Sequence, residues 1–227
     1  PKKLNMENLT LLIPAKFESE SLPSVLDELK KFNYKICIIL KETDSSTINS
    51  IVDFDVEIIH QKGIGYGDAL IEGINYCKTK YFCIFNADGS FNPVEIDGIM
   101  KQIEENNSDF VFASRYEKNA GSDDDTIITL VGNYFFSLIG KIFFKLGISD
   151  ILYTFVVGNT SKAKSLNILS KDFRFCVELP IKAKRKNFKI DVFPSFERKR
   201  IAGKKKVNAF KDGSLILKKL IELFFNK

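Results

Sequence analysis

The stretch Tyr81–Pro93, YFCIFNADGSFNP, decides the fold of this chain. It begins with the apolar run Tyr81–Phe85, which predicts a buried strand. Asp88 follows the run, and Pro93 then opens a helical pattern. Open α/β sheets bind their ligands at the carboxyl ends of their strands, so a carboxylate placed there indicates a binding site. Because Asn, Asp and Gly are also common turn residues, an ordinary strand-to-helix turn is the alternative.

The polar side chains that follow this strand carry oxygen atoms that suit a metal ion. Asn86 supplies an amide oxygen and Asp88 supplies a carboxylate. Hard divalent cations prefer such ligands, and a bound cation in turn suits a diphosphate. The pattern therefore predicts a site for a cation and a phosphorylated ligand at the end of this strand.

Apolar, strand-like runs alternate with helical patterns through the first half of the chain. Leu22, Leu26 and Leu29 recur at helical spacing, and Asn92 with Glu95 predicts a helix cap. This alternation predicts an α/β fold with a mostly parallel central sheet and helices on both faces. The predicted strands are residues 9–14, 34–40, 56–60, 81–85, 109–113, 153–157 and 189–196.

The pattern changes after Arg115, which ends a predicted strand and either clamps a phosphate or lies at the surface. Residues 116–125 are polar and predict a loop, whereas residues 126–146 form a long apolar stretch in which 130–146 is a helix candidate. Further helices are predicted at residues 161–187 and 209–226. No internal repeat or flexible linker is visible, so the whole chain is predicted to form one domain.

The composition indicates a soluble protein with a full hydrophobic core. The chain has 227 residues, of which 44% are hydrophobic, and it carries a net charge of +5 with a pI near 8.9. Mild basicity favours anionic partners such as nucleotides, phospholipid surfaces or nucleic acid. Neither a signal peptide nor an apolar run of about 18 residues is visible, so we expect a cytosolic protein.

The cysteines and the histidine restrict the chemistry. The four cysteines form no C-x-x-C pair, and Cys37 and Cys83 lie within strand-like runs. Buried thiols in a reducing compartment are therefore expected. His60 is the only histidine, which excludes zinc sites that need two or more histidines.

Three further features each allow a functional and a structural interpretation. The segment Gly63–Asp68 joins a strand to a helix, where it either holds phosphate or simply turns the chain. Residues 182–206 are rich in lysine and arginine, which indicates a solvated face or a surface for anionic lipid, phosphorylated substrate or nucleic acid. The basic amphipathic segments 130–146 and 214–225 favour either core packing or contact with a membrane interface.

Short motifs follow one another in a fixed order along residues 9–206. They are Pro14–Glu20 after the first strand, the loop Lys62–Gly65, the metal motif Asn86–Asp88 with Pro93, Ser114–Tyr116, Ser149–Asp150 with Phe155, then Glu178, and finally Pro194, Arg200, Gly203 and Lys206. In this order and spacing they resemble family 2 glycosyltransferases of the GT-A fold. The resemblance is greatest to the dolichol-phosphate mannose synthase and polyprenyl-phosphate glycosyltransferase group.

The resemblance implies a metal-dependent, inverting transfer of a sugar from a GDP- or UDP-linked donor to a polyprenyl-phosphate or glycan acceptor. It also implies Mg²⁺ or Mn²⁺ as cofactor, peripheral contact with the cytosolic membrane face, and no nucleic acid. The implied donor contacts are Pro14, Ala15, Glu18, Glu42, Asp44, Lys62, Gly63, Gly65, Asn86, Ala87 and Asp88. The implied metal ligands are Asn86, Asp88 and Ser90, the catalytic residues Asp88, Arg115 and Glu178, and the acceptor-phosphate contacts Arg115, Arg200 and Lys206.

The same resemblance divides the chain by role. It implies a donor half at residues 1–115, an acceptor half at residues 116–208 and an amphipathic helix at residues 209–227. A lipid-phosphate acceptor is already an anion and needs no general base. A sugar hydroxyl needs a base, for which Glu178 and Asp150 are the candidates.

Several positions depart from the family pattern. The D-D-G-S at the end of the second strand is absent, so Glu42 or Asp44 is expected to replace its contact with the base or ribose. Asn86 replaces the first aspartate of the metal motif and contributes no charge, so weaker metal affinity is expected. Phe91 and Val156 replace a histidine and an arginine. These departures leave open a different donor, or a degenerate relative that binds nucleotide or scaffolds an assembly.

Two other functions are compatible with the residues alone. A nicotinamide-dependent oxidoreductase is disfavoured because Asp68 stands where the dinucleotide fingerprint has its last glycine. A nucleic-acid binder would show strongly salt-dependent affinity.

Overall fold

Strands and helices alternate along residues 6–203 and 208–226, which the computed structural model describes. The strands are β1 (Leu9–Pro14), β2 (Lys35–Leu40), β3 (Glu57–His60), β4 (Tyr81–Ile84), β5 (Phe110–Ser114), β6 (Gly121–Ser122), β7 (Val156–Asn159), β8 (Ile190–Pro194) and β9 (Phe196–Glu197). The helices are α1 (Leu22–Leu29), α2 (Ser45–Ser50), α3 (Tyr66–Tyr76), α4 (Glu95–Glu105), α5 (Ile127–Phe144), α6 (Thr160–Ser165), α7 (Phe175–Arg185) and α8 (Ala209–Phe225). Short 3₁₀ turns lie at Met6–Asn8 and Lys30–Phe32.

A seven-stranded sheet lies at the centre of the fold, in the order β3-β2-β1-β4-β7-β5-β8. Its pairs are parallel except those of β7, which is antiparallel to both β4 and β5. Strands β6 and β9 pair in parallel as a separate two-stranded ribbon. The predicted mostly parallel sheet is confirmed.

The direction of the strands places the functional loops at one edge. Because β7 alone runs in the opposite direction, the other six strands of the sheet all end at the same edge. The loops after Pro14, Leu40, His60 and Ile84 therefore gather there. Asp88 follows β4, which pairs with β1 in the middle of the sheet.

Helices cover both faces of the sheet. On one face α1 and α4 bury apolar side chains such as Leu26 and Ile99. On the other face α3, α7 and α8 bury residues such as Leu70, Val177 and Leu220. Each fully buried side chain of this kind stabilises the fold by about 1.5–3 kcal/mol. This explains why the apolar residues of the helices recur every three or four positions.

The aromatic residue after the metal motif belongs to the core. Phe91 is buried, stacks on Phe155 with ring centroids 4.7 Å apart, and meets Phe85 edge to face at 5.7 Å. Phe91, at the position where the resembling family has a histidine, therefore supports the Asp88 turn by packing in the core.

Two predictions for the helices are wrong. The predicted helix 161–187 is two helices, because Asn167 adopts a left-handed backbone with φ of 48° and the chain leaves the helix after Ser165. Asn92 is not the cap of α4: its side chain accepts a hydrogen bond from the amide of Val94 at 3.2 Å within a turn. Helix α4 starts instead at Glu95, whose carboxylate accepts hydrogen bonds from Ser195 and Phe196.

Three segment predictions also need correction. Helix α2 was not predicted, the predicted strand 153–157 starts only at Val156, and the predicted loop 116–125 contains β6.

Helix α5 has 18 residues with a mean hydropathy of 1.7, and 22% of it is buried. It meets the length and composition of a membrane span, contrary to the expectation that no segment does, because its few polar residues leave the average apolar. Length and composition alone do not distinguish a span from a surface helix.

Substituting Gly158 tests the packing at the centre of the sheet. A Cβ atom there would lie 2.6 Å from Phe110 Cδ1 and 2.8 Å from Phe82 Cζ. Gly158→Ala is therefore expected to lower the free energy of unfolding by about 1–3 kcal/mol, measured by urea denaturation. Gly132→Ala is the control, because nothing lies within 4 Å of its Cβ position, and alanine in a helix should stabilise by up to about 1 kcal/mol. Equal effects of both substitutions would contradict this packing.

Candidate active site

Asp88 lies at the centre of a tight turn after β4. Its Oδ1 atom accepts hydrogen bonds from the Ser90 amide at 3.0 Å and the Ser90 hydroxyl at 2.7 Å. The amide group of Asn86 donates to that same hydroxyl at 3.3 Å. Gly89 has a φ of +81°, and a Cβ atom there would lie 2.5 Å from Ile201 Cδ1. The turn thus fixes one carboxylate oxygen of Asp88 and leaves the other for an external charge.

A guanidinium group faces that second oxygen. Arg200 Nη1 lies 3.4 Å from Asp88 Oδ2, while Arg200 Nη2 lies 2.9 Å from Asp124 Oδ2. Burial alone would lower the pKa of Arg200, but the hydrogen bond to Asp124 and the charge of Asp88 raise it above its ordinary value. A permanent positive charge therefore lies between the two carboxylates.

The segment that carries Arg200 lies over the Asp88 turn. We call residues 198–203 the strap. Its backbone is fixed to the turn by two hydrogen bonds of 2.8 Å, from the Ile201 amide to the Asp88 carbonyl and from the Arg198 amide to the Ser90 carbonyl. These bonds hold the backbone of the strap in place, and neither of them involves the Arg200 side chain.

Arg115 lies in a buried ionic network at the end of β5. It is 8% exposed, donates to both oxygens of Asp150 at 2.7 and 3.0 Å, and donates to Glu197 at 2.9 Å. Burial alone would lower the pKa of Arg115, but the hydrogen bonds and charge of Asp150, with the charge of Glu197, raise it above its ordinary value. A phosphate contact by Arg115 would require it to leave these partners.

Asp44 fixes the loop that follows β1. Its buried carboxylate caps α2 through the Thr47 amide at 3.3 Å, and it accepts from the Thr47 hydroxyl at 2.9 Å and the Phe17 amide at 2.7 Å. Burial alone would raise the pKa of Asp44, but these hydrogen bonds lower it below its ordinary value. Asp44 is therefore an ionised structural anchor, whereas Glu42, two residues earlier, is exposed.

Phe17 is a feature that sequence reasoning missed. It has a left-handed φ of 54° and its side chain is 69% exposed, beside the carboxyl ends of β1 and β2. Such a backbone is rare for an aromatic residue and persists only when surrounding contacts impose it, here the Asp44 hydrogen bond. The available signal was Phe17 itself: the resembling family has the pattern P-x-x-N-E in the segment that matches Pro14–Glu20, and Phe17 stands at its Asn position.

The glycine loop after β3 is closely packed. The amides of Lys62 and Gly63 donate to the Glu72 carboxylate at 2.9 and 3.2 Å. A Cβ atom at Gly65, whose φ is +114°, would lie 2.1 Å from the Lys171 carbonyl oxygen. Gly65 therefore allows the chain segment around Lys171 to pack closely against this loop. The amides of Lys62 and Gly63 already donate to Glu72. This packing further disfavours a dinucleotide-binding loop.

Glu178 supports that neighbouring segment. It is fully buried and accepts hydrogen bonds from the amides of Leu169 at 3.2 Å and Ser170 at 2.8 Å. Its carboxylate also pairs with Lys182 at 2.6 Å and lies 3.8 Å from Lys219. Burial alone would raise the pKa of Glu178, but Lys182 and the two amides lower it below its ordinary value. Glu178 is thus an ionised group committed to holding residues 169–170.

A family model described as glycosyl transferase family 2 matches residues 10–166. The matched range contains the Asp88 turn and both Arg115 and Asp150. The chain belongs to glycosyl transferase family 2.

Solved structures with the fold of this family 2 chain include two sugar-phosphoglycerate synthases. Glucosyl-3-phosphoglycerate synthase from Mycobacterium tuberculosis, in complex with Mn²⁺, UDP and glucosyl-3-phosphoglycerate, matches 95% of this chain and 79% of its own with a TM-score of 0.75 and 10% identity. Mannosyl-3-phosphoglycerate synthase from Rubrobacter xylanophilus matches 95% of this chain and 72% of its own with a TM-score of 0.70 and 14% identity. At these identities the likeness shows the shared fold.

A curated relative of the family 2 chain is an uncharacterized protein from Methanocaldococcus jannaschii. The two are 23% identical over 137 residues, which is 58% of this chain and 56% of the relative. The chain thus matches little more than half the length of that relative.

The structure brings many of the predicted site residues of this family 2 chain to one edge of the sheet. The loops at that edge carry Pro14, Ala15, Glu18, Glu42, Asp44, Lys62, Gly63, Gly65, Asn86, Ala87, Asp88, Ser90, Arg115 and Arg200. Glu178 lies instead in α7, where it supports the segment behind the glycine loop. Lys206 lies outside the described residues. The roles of these residues stay predictions.

The oxygen atoms of the Asp88 turn fit a divalent cation. They comprise the Asp88 carboxylate, the Asn86 amide and the Ser90 hydroxyl, which are hard ligands of the kind Mg²⁺ and Mn²⁺ accept. Within residues 6–203 and 208–226, no group of three or more His, Cys, Asp or Glu side chains is arranged to hold a metal. The turn 86–90 therefore has Asp88 as its one carboxylate, and the Arg200 guanidinium lies beside the second oxygen of that carboxylate.

Acid titration tests the anchoring role of Asp44. Because its pKa is lowered in the folded state, the stability it contributes is present above the ordinary aspartate pKa of about 3.9 and is lost as the pH falls through the folded value. The difference in unfolding free energy between the parent chain and Asp44→Asn should therefore be largest near neutral pH and shrink below about pH 4. Asp53→Asn, at an exposed aspartate, should show no such trend. A constant difference for Asp44→Asn across the titration would contradict the anchor.

Proposed function

We propose that this family 2 chain is a metal-dependent, inverting glycosyltransferase whose donor is a nucleotide-diphosphate sugar. The observation that carries the proposal is the Asp88 carboxylate at the carboxyl end of the central strand β4. One of its oxygens is fixed by Ser90, and the other faces a position held by a positive charge. A cation at that position lies where α/β sheets bind phosphorylated ligands.

The relatives of known structure support this donor class. The M. tuberculosis glucosyl-3-phosphoglycerate synthase has been crystallised with Mn²⁺, UDP-glucose and phosphoglyceric acid. The fold is shared over 95% of this chain and 79% of that enzyme. We infer a uridine or guanosine diphosphate sugar for this chain, with Mg²⁺ or Mn²⁺ held by Asp88, Asn86 and Ser90.

The exposed ring of Phe17 is the proposed platform for the nucleobase. It lies at the edge where β1 and β2 end, and its backbone is held by Asp44. Stacking of a base on an aromatic ring contributes about 1–3 kcal/mol. Because the carboxylate of Asp44 is fully used, Glu42 is the better candidate for a polar contact with the base or ribose. The remaining proposed donor contacts are Pro14, Ala15, Glu18, Lys62, Gly63, Gly65 and Ala87.

The proposed acceptor is a polyprenyl phosphate, whose phosphate group receives the sugar. A sugar hydroxyl would need a general base, but Asp150 is paired with Arg115, and Glu178 is committed to amides and lysines. A phosphate acceptor attacks as an anion and needs no base. Arg200, and Lys206 outside the described residues, are its proposed contacts, while Arg115 positions the acceptor half through Asp150 and Glu197. Residues 1–115 then form the donor half and residues 116–208 the acceptor half.

The chain's own residues divide the work of the reaction. A bound divalent cation would offset the charge that develops on the leaving diphosphate. Asp88 would hold that cation, Ser90 orients the Asp88 carboxylate, and Phe91 with Phe155 keeps the turn rigid from the core side. An oxygen of the acceptor phosphate then bonds to the anomeric carbon from the face opposite the diphosphate, while the bond from that carbon to the diphosphate breaks and the nucleoside diphosphate leaves. The anomeric carbon is thereby inverted.

Donor binding with two variants tests this function. Binding of UDP- and GDP-sugars is measured by calorimetry with and without Mn²⁺. Asp88→Ala should remove the metal-dependent part of the affinity and lower transfer about 100- to 1,000-fold. Phe17→Ala should weaken nucleotide binding about five- to a hundredfold, with or without metal, because it removes stacking.

Matched controls are Asp27→Ala and Tyr76→Ala, which remove an exposed carboxylate on α1 and an exposed ring at the end of α3 remote from the glycine loop. Failure to bind any of the nucleotide sugars, with or without metal, would overturn the proposal. Binding without transfer to any phosphate or glycan acceptor would instead support a degenerate, nucleotide-binding relative.

We also propose that α5 and α8 form a face that binds an anionic membrane surface. The two helices pack together, with the Phe143 and Phe224 rings 5.6 Å apart. The exposed apolar residues of this face are Ile127, Ile128, Leu130, Val131, Tyr134, Phe135, Leu138, Ile142, Phe143, Phe210, Leu217, Ile221, Phe224 and Phe225. Exposed apolar surfaces of this extent mark interaction sites.

Charge favours a bilayer as the occupant of this face. Lys141 and Lys145 on α5, and Lys211 and Lys218 on α8, are exposed beside the apolar residues. In a two-fold dimer the face would meet itself and bring these lysines together, whereas anionic lipid headgroups would pair with them. The face also begins next to the active site, because Asp124, which pairs with Arg200, precedes α5 by only a few residues. A membrane-embedded phosphate acceptor is thus proposed to enter from this side.

Vesicle binding tests the membrane face. The double substitution Ile142→Asp with Ile221→Asp should reduce co-sedimentation with vesicles of anionic phospholipid more than about tenfold, because two isoleucine side chains no longer enter the lipid. Val52→Asp, at a residue that is 76% exposed elsewhere, should change nothing. No binding to anionic vesicles, or a stable dimer with no vesicle binding in sedimentation, would contradict the proposal.

A further inference from the structure

The contacts of Arg200 with its two carboxylates are unequal. Its bond to Asp124 at 2.9 Å has the length of an ordinary charge-assisted hydrogen bond. Its approach to Asp88 at 3.4 Å is longer than such a bond and has no hydrogen-bond geometry besides. Arg200 is thus hydrogen-bonded to Asp124, whereas its interaction with Asp88 is electrostatic only.

A divalent cation on Asp88 would need the same oxygen. The Oδ1 atom already accepts two hydrogen bonds from Ser90, so Oδ2 is the atom open to a metal. A cation such as Mg²⁺ binds carboxylate oxygen at about 2.0–2.1 Å. A guanidinium 3.4 Å from that oxygen would meet the cation directly, as like charges in a half-buried site. The two positive groups therefore exclude one another.

The strap permits this exchange without refolding. Its backbone is bonded to the Asp88 turn at the Ile201 and Arg198 amides, neither of which involves the Arg200 side chain. The Arg200 side chain is 21% exposed, so it has a path to solvent. Asp124 precedes α5 and gives the guanidinium a partner once it has left Asp88.

We propose, on the basis of the function proposed above, that Arg200 is a resident counter-ion of the metal site. It neutralises Asp88 before the cation arrives, and the cation displaces it toward Asp124. In the displaced position the guanidinium lies at the rim of the site, where it contacts the phosphate of an incoming ligand. Because Asn86 is neutral, Asp88 is the one carboxylate of the turn. Competition between the cation and Arg200 for this carboxylate therefore sets the affinity for metal in the absence of nucleotide.

Metal binding without nucleotide tests this inference. Mn²⁺ affinity is measured by electron paramagnetic resonance of the folded chain, so the readout is independent of catalysis. Arg200→Gln should bind Mn²⁺ roughly three- to tenfold more tightly than the parent, as expected for removal of one partly screened ion pair. Asp124→Asn should bind it more weakly, because the freed guanidinium then has Asp88 as its remaining carboxylate partner among those described here.

Lys199→Gln is the matched control, because it removes one positive charge from an exposed neighbour in the strap. If Lys199→Gln tightens Mn²⁺ binding as much as Arg200→Gln, the effect is general charge and the inference is wrong. Equal affinities of Arg200→Gln and the parent, with Mn²⁺ binding that Asp88→Ala abolishes, overturn the inference but leave the proposed function standing. Absence of Asp88-dependent Mn²⁺ binding in both the parent and Arg200→Gln would instead overturn the proposed function. Thermal unfolding of each variant confirms that it is folded.

Discussion

The buried Arg115 guanidinium organises the second half of the molecule. It joins the end of β5 to Asp150, which precedes β7, and to Glu197 in β9, from which the strap leaves. Asp125, just before α5, also lies 3.9 Å from it. Removing one partner of such a buried pair typically costs about 3–5 kcal/mol, because the other charge is left without compensation. The position of the strap over the Asp88 turn therefore depends on a buried charge whose side-chain donors are used on carboxylates.

Two arginines near the site thus differ in kind, although a sequence motif treats both as phosphate contacts. Arg115 is 8% exposed and uses three of its donor groups on carboxylates, so it behaves as part of the scaffold. The Arg200 side chain is 21% exposed, is held by Asp124 and approaches Asp88 at 3.4 Å, so it is the arginine for which we propose an exchange of partners. Burial and hydrogen-bond count distinguish these two arginines, and neither quantity can be obtained from residue type.

The sheet and the Asp88 turn were predictable, because continuous apolar runs such as 81–85 and helical spacing such as that of Leu22, Leu26 and Leu29 follow directly from burial. The break between α6 and α7 was not, since it depends on the left-handed Asn167 and on the Leu169 and Ser170 amides that Glu178 of α7 binds. The roles of the glycines likewise depend on which segment packs against them. Long-range hydrogen bonds of this kind leave no periodic trace in the sequence. Donor, metal and acceptor residues can therefore be named from motifs, but their commitments to other partners cannot.

The strap covers the surface above Asp88. Clefts of about 190 and 410 Å³ are lined by Ile74 with Ala163 and by Thr79 with Thr160, at the opposite end of β4 from Asp88. Over the Asp88 turn the strap backbone and the Ile201 side chain occupy the space, and Arg200 covers the carboxylate. The proposed exchange of the Arg200 guanidinium for a cation would need little backbone motion, because neither backbone bond of the strap involves that side chain. The apolar face of α5 and α8 begins near Asp124, which holds the guanidinium, so an acceptor of the proposed kind would approach Asp88 from this side.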